Sequence, residues 1–311
     1  MNTYATYGVT IRSEFDLPEL PTLSEPTEDT DVVFRRGAVE PVPESVPGEG
    51  GRRIVADPGQ CRLSYDSYGS FLVENGRTVT YDPHTPDVVG TKVVRRLLEN
   101  EMLGVLLHQR GHLVLHASAV EIDGRVALFL GPRGVGKSTT AAAFHADGYA
   151  IMEDDIVCVR FEDGVPVVVP GVPELRLKPD AVEALDLAET RTYADDGGSD
   201  KRYQRFEDTP DPAPVVACYI LTEGESVSLD DASENDHLFS LIESTYTRGL
   251  LRETEQTDTH FGQCATVVET TNCRRLTRTD DHAALPSLIE RVVDDIKSTE
   301  RSHRNGETVG D

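Results

Sequence analysis

Eight consecutive residues, Gly131-Pro-Arg133-Gly134-Val135-Gly136-Lys137-Ser138, fit the Walker A pattern G-x-x-x-x-G-K-[ST] at every fixed position. That spacing serves phosphate chemistry. Glycines let the backbone turn tightly, so that successive N–H groups converge on phosphate oxygens. A helix opening near Lys137 adds the positive end of its dipole. Lys137 is expected to reach the β/γ-phosphates of a nucleotide, and the Ser138 hydroxyl to ligate Mg²⁺. With Thr139, the residues Gly131, Arg133, Gly134, Val135, Gly136, Lys137 and Ser138 form the expected nucleotide-binding set.

A second chemical feature is Asp154-Asp155, one helix and one strand beyond that loop. Carboxylates at strand ends commonly serve sites in α/β folds. Beside a Mg-nucleotide, one of the pair would hold the metal and the other would accept a proton from an attacking hydroxyl. His116 stands on the strand before the loop's hairpin, within reach of the same place, and Ser118 shares its face, with two roles open to it: orienting that ring, or a purely structural hydroxyl.

The elements that must position these residues are legible around them. Val126–Leu130 reads as a buried strand feeding the loop, Thr139–Phe144 as the following helix, and Gly148 as its stop. Asp123-Gly124 predicts a hairpin turn between Leu113–Val120 and that strand. Tyr149–Met152 reads as the strand that delivers Asp154-Asp155, and Val215–Leu221 as a later strand of the sheet. Residues 1–90 read as a β-rich accessory region, with strands expected at Tyr7–Ile11, Val32–Phe34, Arg62–Tyr65, Ser70–Val73 and Thr78–Tyr81. Loops are expected at Ser24–Asp31 and Glu40–Gly51. From Lys92 to Arg110 apolar residues recur at helical spacing, predicting a bridging helix whose stripe is core. A core over 111–297 follows, with helices at Pro179–Leu185, Leu238–Tyr246 and Leu285–Ile296. A mobile loop is expected over Ala194–Pro214 and a disordered tail over 298–311.

Composition narrows the partners. The chain has 311 residues, with 55 Asp and Glu against 30 Lys and Arg, a formal net charge of −25. Such a surface repels nucleic acid and anionic membranes. Acid-rich and lysine-poor composition matches a halophilic protein solvated in concentrated KCl, and makes the few lysines worth inspecting singly. No run of eighteen apolar residues predicts a membrane span, and the first residues lack the features of a signal peptide. A cytoplasmic protein is expected. Five cysteines without C-x-x-C spacing predict reduced thiols and no zinc site.

Three segments occur in one order: Leu115-His116-Ala-Ser118-Ala-Val120, the loop Gly131–Ser138, and Gly148-Tyr-Ala-Ile-Met-Glu-Asp154-Asp155-Ile-Val157. Together they resemble the kinase core of HPr kinase/phosphorylase, specifically its shorter HPr-kinase-like serine kinase relatives. The opening Tyr7–Leu20 and the segment Pro170–Leu177 are also similar to those relatives. The resemblance implies a P-loop α/β fold with a mixed sheet, related to phosphoenolpyruvate carboxykinase, and ATP-dependent transfer of phosphate to a serine hydroxyl. It implies Lys137 and Ser138 on phosphates and Mg²⁺, Asp154 as the leading base and Asp155 on the metal (with their order open), and His116 near the reacting phosphate. Arg176, Lys178 and Lys201 are further candidates for a γ-phosphate or acceptor contact. The Arg-Gly-x-Gly-Ile-Ile signature tied to dephosphorylation is absent, so neither that reaction nor HPr as acceptor is implied. The bacterial relatives assemble, which allows a homo-oligomer.

The sequence therefore predicts an ATP- and Mg²⁺-dependent kinase whose acceptor is a serine or other hydroxyl on a protein, peptide or small molecule. The alternatives are a nucleotide-binding regulatory protein without transfer, and a carboxykinase-type enzyme acting on a small carboxylic acid.

Overall fold

The computed structural model describes residues 1–23, 30–187, 190–206 and 209–306. Most of the expected acidic loop at Ser24–Asp31 lies outside them. The chain opens with β1 (Asn2–Thr6), β2 (Val9–Ser13), β3 (Val32–Arg36), β4 (Arg52–Asp57), β5 (Gln60–Tyr65), β6 (Gly69–Glu74) and β7 (Thr78–Pro83). They form one sheet in the order β1-β2-β3-β7-β6-β5-β4, antiparallel except where β3 runs parallel to β2 and β7. Tyr7 and Gly8, expected inside a strand, instead adopt positive φ and turn the chain between β1 and β2. The strand β4 had no counterpart in the sequence pattern, because its residues are all half-buried or exposed and show no alternation.

One face of this sheet is covered by a continuous helical segment. It comprises α1 (Lys92–Arg96), a π-helical stretch (Leu97–Met102) and α2 (Leu103–Gln109). Val94, Leu98, Met102 and Leu106 pack with Phe34, Phe71 and Tyr81 of the sheet in one core, which also takes in Ile156, Cys158 and Val172 from the following part of the chain.

That part contains β8 (Leu113–Leu115), β9 (Ser118–Ile122), β10 (Arg125–Leu130), α3 (Lys137–Ala146), β11 (Ala150–Asp154), β12 (Val157–Glu162) and β13 (Val165–Val169). Next come β14 (Glu174–Leu177), α4 (Pro179–Ala184), β15 (Thr190–Arg191), β16 (Arg202–Arg205) and β17 (Ala213–Glu223). The chain ends with β18 (Ser228–Asp231), α5 (Glu234–Ser244), α6 (Thr257–Thr270), β19 (Asn272–Arg278) and α7 (Leu285–Gly306). The main sheet has nine strands on the path β11-β9-β10-β17-β13-β12-β8, with β19 beside β17 and β18 beside β19. β10, β17 and β19 run parallel and most other pairs are antiparallel, so the fold is mixed α/β. Asp123 and Gly124, both at positive φ, close the β9–β10 hairpin as their types require. A core of Phe129, Phe144, Tyr219, Leu288 and Val292 lies between this sheet, α3 and α7.

Three expectations change. The strand expected over Leu113–Val120 breaks at His116, dividing β8 from β9. The segment expected as a mobile loop holds β16, which pairs with β14 and β15, and the start of β17. The last helix continues to Gly306, so the first part of the expected disordered tail is helical, and residues 307–311 lie outside the description. Among the described residues, no helix is long and apolar enough to cross a membrane.

Candidate active site

The loop Gly131–Ser138 leaves the end of β10 and turns into α3. Gly131, Gly134 and Gly136 all have positive φ, the conformation that L side chains resist. Gly136 caps α3 at φ 100°, and a Cβ there would lie 1.4 Å from Arg278 Nη1. Only glycine fits both demands. Lys137 is buried and its Nζ donates to the carbonyls of Gly131 at 2.8 Å and Pro132 at 3.2 Å. Burial pulls its pKa down, against the opposing pull of Asp154 and Asp155.

Next to this loop, β11 pairs antiparallel with β9, which sets Asp154 across from Ser118. The Ser118 hydroxyl donates to Asp154 Oδ1 at 2.5 Å. Of the two roles open to Ser118, the geometry does not show the one toward His116: its hydroxyl serves Asp154. Burial pushes the Asp154 carboxyl up to about 6, restrained by hydrogen bonds from Ser118 and Ser138. The loop serine and this aspartate are therefore neighbours. Asp155, just past the strand, is held at φ 86°, a strained state for a non-glycine residue. His116 Nδ1 lies 2.9 Å from Asp155 Oδ1, and Asn100 Nδ2 donates to Asp155 Oδ2 at 3.2 Å. Desolvation works to raise Asp155, but the His116 contact, Arg96 and Asn100 together hold it below the usual carboxylate range. Two adjacent carboxyls thus sit on opposite sides of their ordinary pKa. Glu153, wholly buried behind them, accepts from the backbone N–H groups of Asp154 and Val172, and burial drives its pKa well up.

These groups share a cavity of about 810 Å³. Of the expected site residues, Arg133, Gly134, Gly136, Lys137, Ser138, Thr139, His116, Asp154 and Asp155 line it, as do Arg176, Lys178 and Lys201. Gly131 and Val135 stand behind the lining. Gly131 receives Lys137, and Val135 packs into the core while its carbonyl accepts from Arg278 Nη1 at 3.1 Å.

Sequence reasoning missed four residues. Arg96, Glu99 and Asn100 come from the bridging helix, whose apolar stripe drew attention away from its other face; they stand at the junction of α1 and the π-helical stretch, a distortion frequent at functional sites. Arg278 ends β19 and reaches the loop through the parallel pairing of β17 with β10 and β19. No local sequence signal marks it. Cations and carboxylates are equally numerous in the lining, although acids outnumber bases nearly two to one along the chain. Three of the five lysines are here.

Deeper on the same side, Lys92 is fully buried. Its Nζ bonds Glu174 at 2.6 Å and Glu19 at 3.0 Å, and lies over the rings of Tyr193 and Tyr203. Asp196, also buried, accepts from Arg96 at 3.0 Å, Arg176 at 3.4 Å and the Tyr203 hydroxyl at 2.6 Å.

No family model matches the chain, and no curated protein does. Among solved structures, that of the Hpr(Ser) kinase/phosphatase from Coxiella burnetii is similar at 13% identity and a TM-score of 0.31, over 60% of this chain and 98% of that one.

Proposed function

We propose that the protein is a kinase that binds ATP with Mg²⁺ and transfers the γ-phosphate to a hydroxyl, with a core of the phosphoenolpyruvate-carboxykinase-like P-loop type. The observation that carries this reading is the position of Asp154. A buried carboxyl raised to about 6 stands between Ser118 and the Ser138 of a phosphate-binding loop. A group with that pKa is mostly ionised at neutral pH yet basic enough to take a proton from an attacking hydroxyl.

The donor set fits the cation. Ser138 and the half-exposed Asp155 offer hard oxygens, and Mg²⁺ in phosphoryl-transfer sites needs only one or two carboxylates beside phosphate and water. When bound, the ion supplies charge neutralisation across the β- and γ-phosphate oxygens. The chain's own residues would do the rest. Lys137 and the loop N–H groups hold the phosphates, and Arg278 and Arg133 flank them. His116 fixes Asp155 and stands near the transferring group. Asp154 orients the acceptor hydroxyl and takes its proton. Phosphoryl transfer depends mainly on such positioning and charge stabilisation.

The test is transfer of label from γ-labelled Mg-ATP by the purified protein in molar KCl, offered free serine and a cytosolic extract, with Lys137→Ala as control. Label on serine or on one polypeptide, lost in the variant, is expected. Tight nucleotide binding with no transfer would move the protein to the regulatory class.

A further inference from the structure

We infer that Arg176 and Lys201 form an anion subsite for the acceptor, and that the acceptor is a small hydroxy compound carrying a carboxylate. This rests on the kinase reading for its geometry. If the loop holds the donor phosphates and Asp154 the acceptor hydroxyl, the rest of the acceptor lies along the wall built by the end of α1, the π-helical stretch, β14 and the segment entering β16. That wall carries Arg96, Arg176 and Lys201.

The cations there are incompletely matched. Asp196 is shared between Arg96 and Arg176, and also takes the Tyr203 hydroxyl. The Arg176 Nη2 donates to Ser199 Oγ at 3.0 Å, while its Nε is buried with no partner among the described residues. A buried guanidinium N–H left unbonded is costly. Lys201 stands in the field of Arg176 and Arg133, whose charges oppose its own, and its attractive neighbours are Asp154 and Asp155, the two carboxylates that the reaction would occupy. Like charges are held together by the surrounding fold, in a chain otherwise dominated by acids. An anion entering between Arg176 and Lys201 offsets their repulsion and gives the lysine ammonium a partner.

The wall also argues for small size. Its aliphatic members are Val172 and Leu177, and its aromatic ones Tyr203 and Tyr246, with the Tyr203 hydroxyl taken by Asp196, so there is little to receive the flanking side chains of a peptide. A carboxylate, planar and able to bond two donors, suits an arginine–lysine pair better than a neutral alcohol does.

The test uses the full chain with Mg²⁺ and a non-hydrolysable ATP analogue. Binding of glycerate and L-serine is measured by calorimetry against glycerol, ethanolamine and an end-blocked seryl peptide, for wild type, Arg176→Gln and Lys201→Gln. Lys201 is held through its backbone N–H, which donates to Ser199 Oγ at 3.2 Å, and among the described residues its ammonium makes no hydrogen bond or ion pair, so its variant guards against misfolding of the other. The carboxylate probes should bind at least about tenfold better than the neutral or blocked ones. Each variant should weaken them by about 10- to 100-fold, the range of one charged hydrogen bond, with the nucleotide analogue binding unchanged. Equal binding of glycerol or the peptide, or no binding of either carboxylate, overturns the subsite. So does a variant that weakens the nucleotide and spares the carboxylates, which would assign these cations to the γ-phosphate. Carboxylate binding without phosphate transfer from ATP would instead keep the subsite and sink the kinase reading.

Discussion

Ser118 and Asp154 face each other as cross-strand partners on β9 and β11, joined by a hydrogen bond of 2.5 Å from hydroxyl to carboxylate. The bond favours the ionised carboxylate, so it restrains the rise that burial imposes. In Ser118→Ala the Asp154 pKa should climb further. Transfer depends on the ionised form, so the acid limb of kcat/KM, expected near pH 6 in the wild type, should move to higher pH. The displacement should be about one pH unit, from a charged hydrogen bond of about 1.5 kcal/mol. A pH–rate profile checks this, and an unmoved limb would detach Asp154 from proton transfer.

Asp154→Asn should leave nucleotide binding within about twofold while lowering kcat by about 10²–10⁴, the usual contribution of a general base. Nucleotide titration beside single-turnover transfer separates the two effects. Unchanged transfer would remove Asp154 as the base.

Gly136→Ala should abolish nucleotide binding altogether. A methyl group at φ 100° is strained, and the guanidinium of Arg278 occupies its place. Arg278→Ala vacates that place without curing the backbone strain, so the double variant should recover little. Binding of a fluorescent ATP analogue reports on both.

His108 is buried and its Nε2 pairs with Thr254 Oγ1, whose own hydroxyl donates to the Leu250 carbonyl. The ring nitrogen is therefore the donor. Burial, with His260 nearby, pulls its pKa down to about 4, well under the value of about 6.5 it takes in the unfolded chain. Between those two values the unfolded state binds the proton and the native state does not. His108 thus makes stability fall as pH drops from about 6.5 toward 4. In His108→Gln the loss of stability over that window should be smaller than in the wild type, by about 3 kcal/mol at the acid end, read as a shallower fall of Tm with pH.

Under the halophilic reading, the charge of −25 makes self-repulsion a standing destabilisation that salt screens. The Tm should rise steadily from dilute buffer to molar KCl. A flat response would make the composition merely acidic.

What could be read in advance divides along chain distance. The glycine-rich loop is a local object: its glycines, Lys137 and Ser138 are adjacent, and the flanking strand and helix follow from short-range pattern. Asp154-Asp155 was legible for the same reason. Ser118 is legible as a hydroxyl near His116, but its partner is not, because the break at His116 turns the two side chains toward different neighbours. Arg278 and Asn100 could not be found. One lies 142 residues beyond Gly136 and arrives only through parallel strand pairing, and the other shares a helix with an apolar stripe that already accounts for the pattern. The strained φ of Asp155 leaves no mark on residue type at all.

The environment of Lys92 sets a limit on how this protein can be taken apart. Its ammonium has been removed from water and answered by Glu19, which belongs to the segment just past β2, and by Glu174 on β14. Loss of the first two dozen residues would leave a buried positive charge half-answered, a change that destabilises by several kcal/mol. A protease that nicks the amino-terminal strands would therefore shorten the lifetime of a cavity those strands do not line, and the abundance of the intact protein would follow its unfolding and turnover rather than any loss of chemistry at the loop.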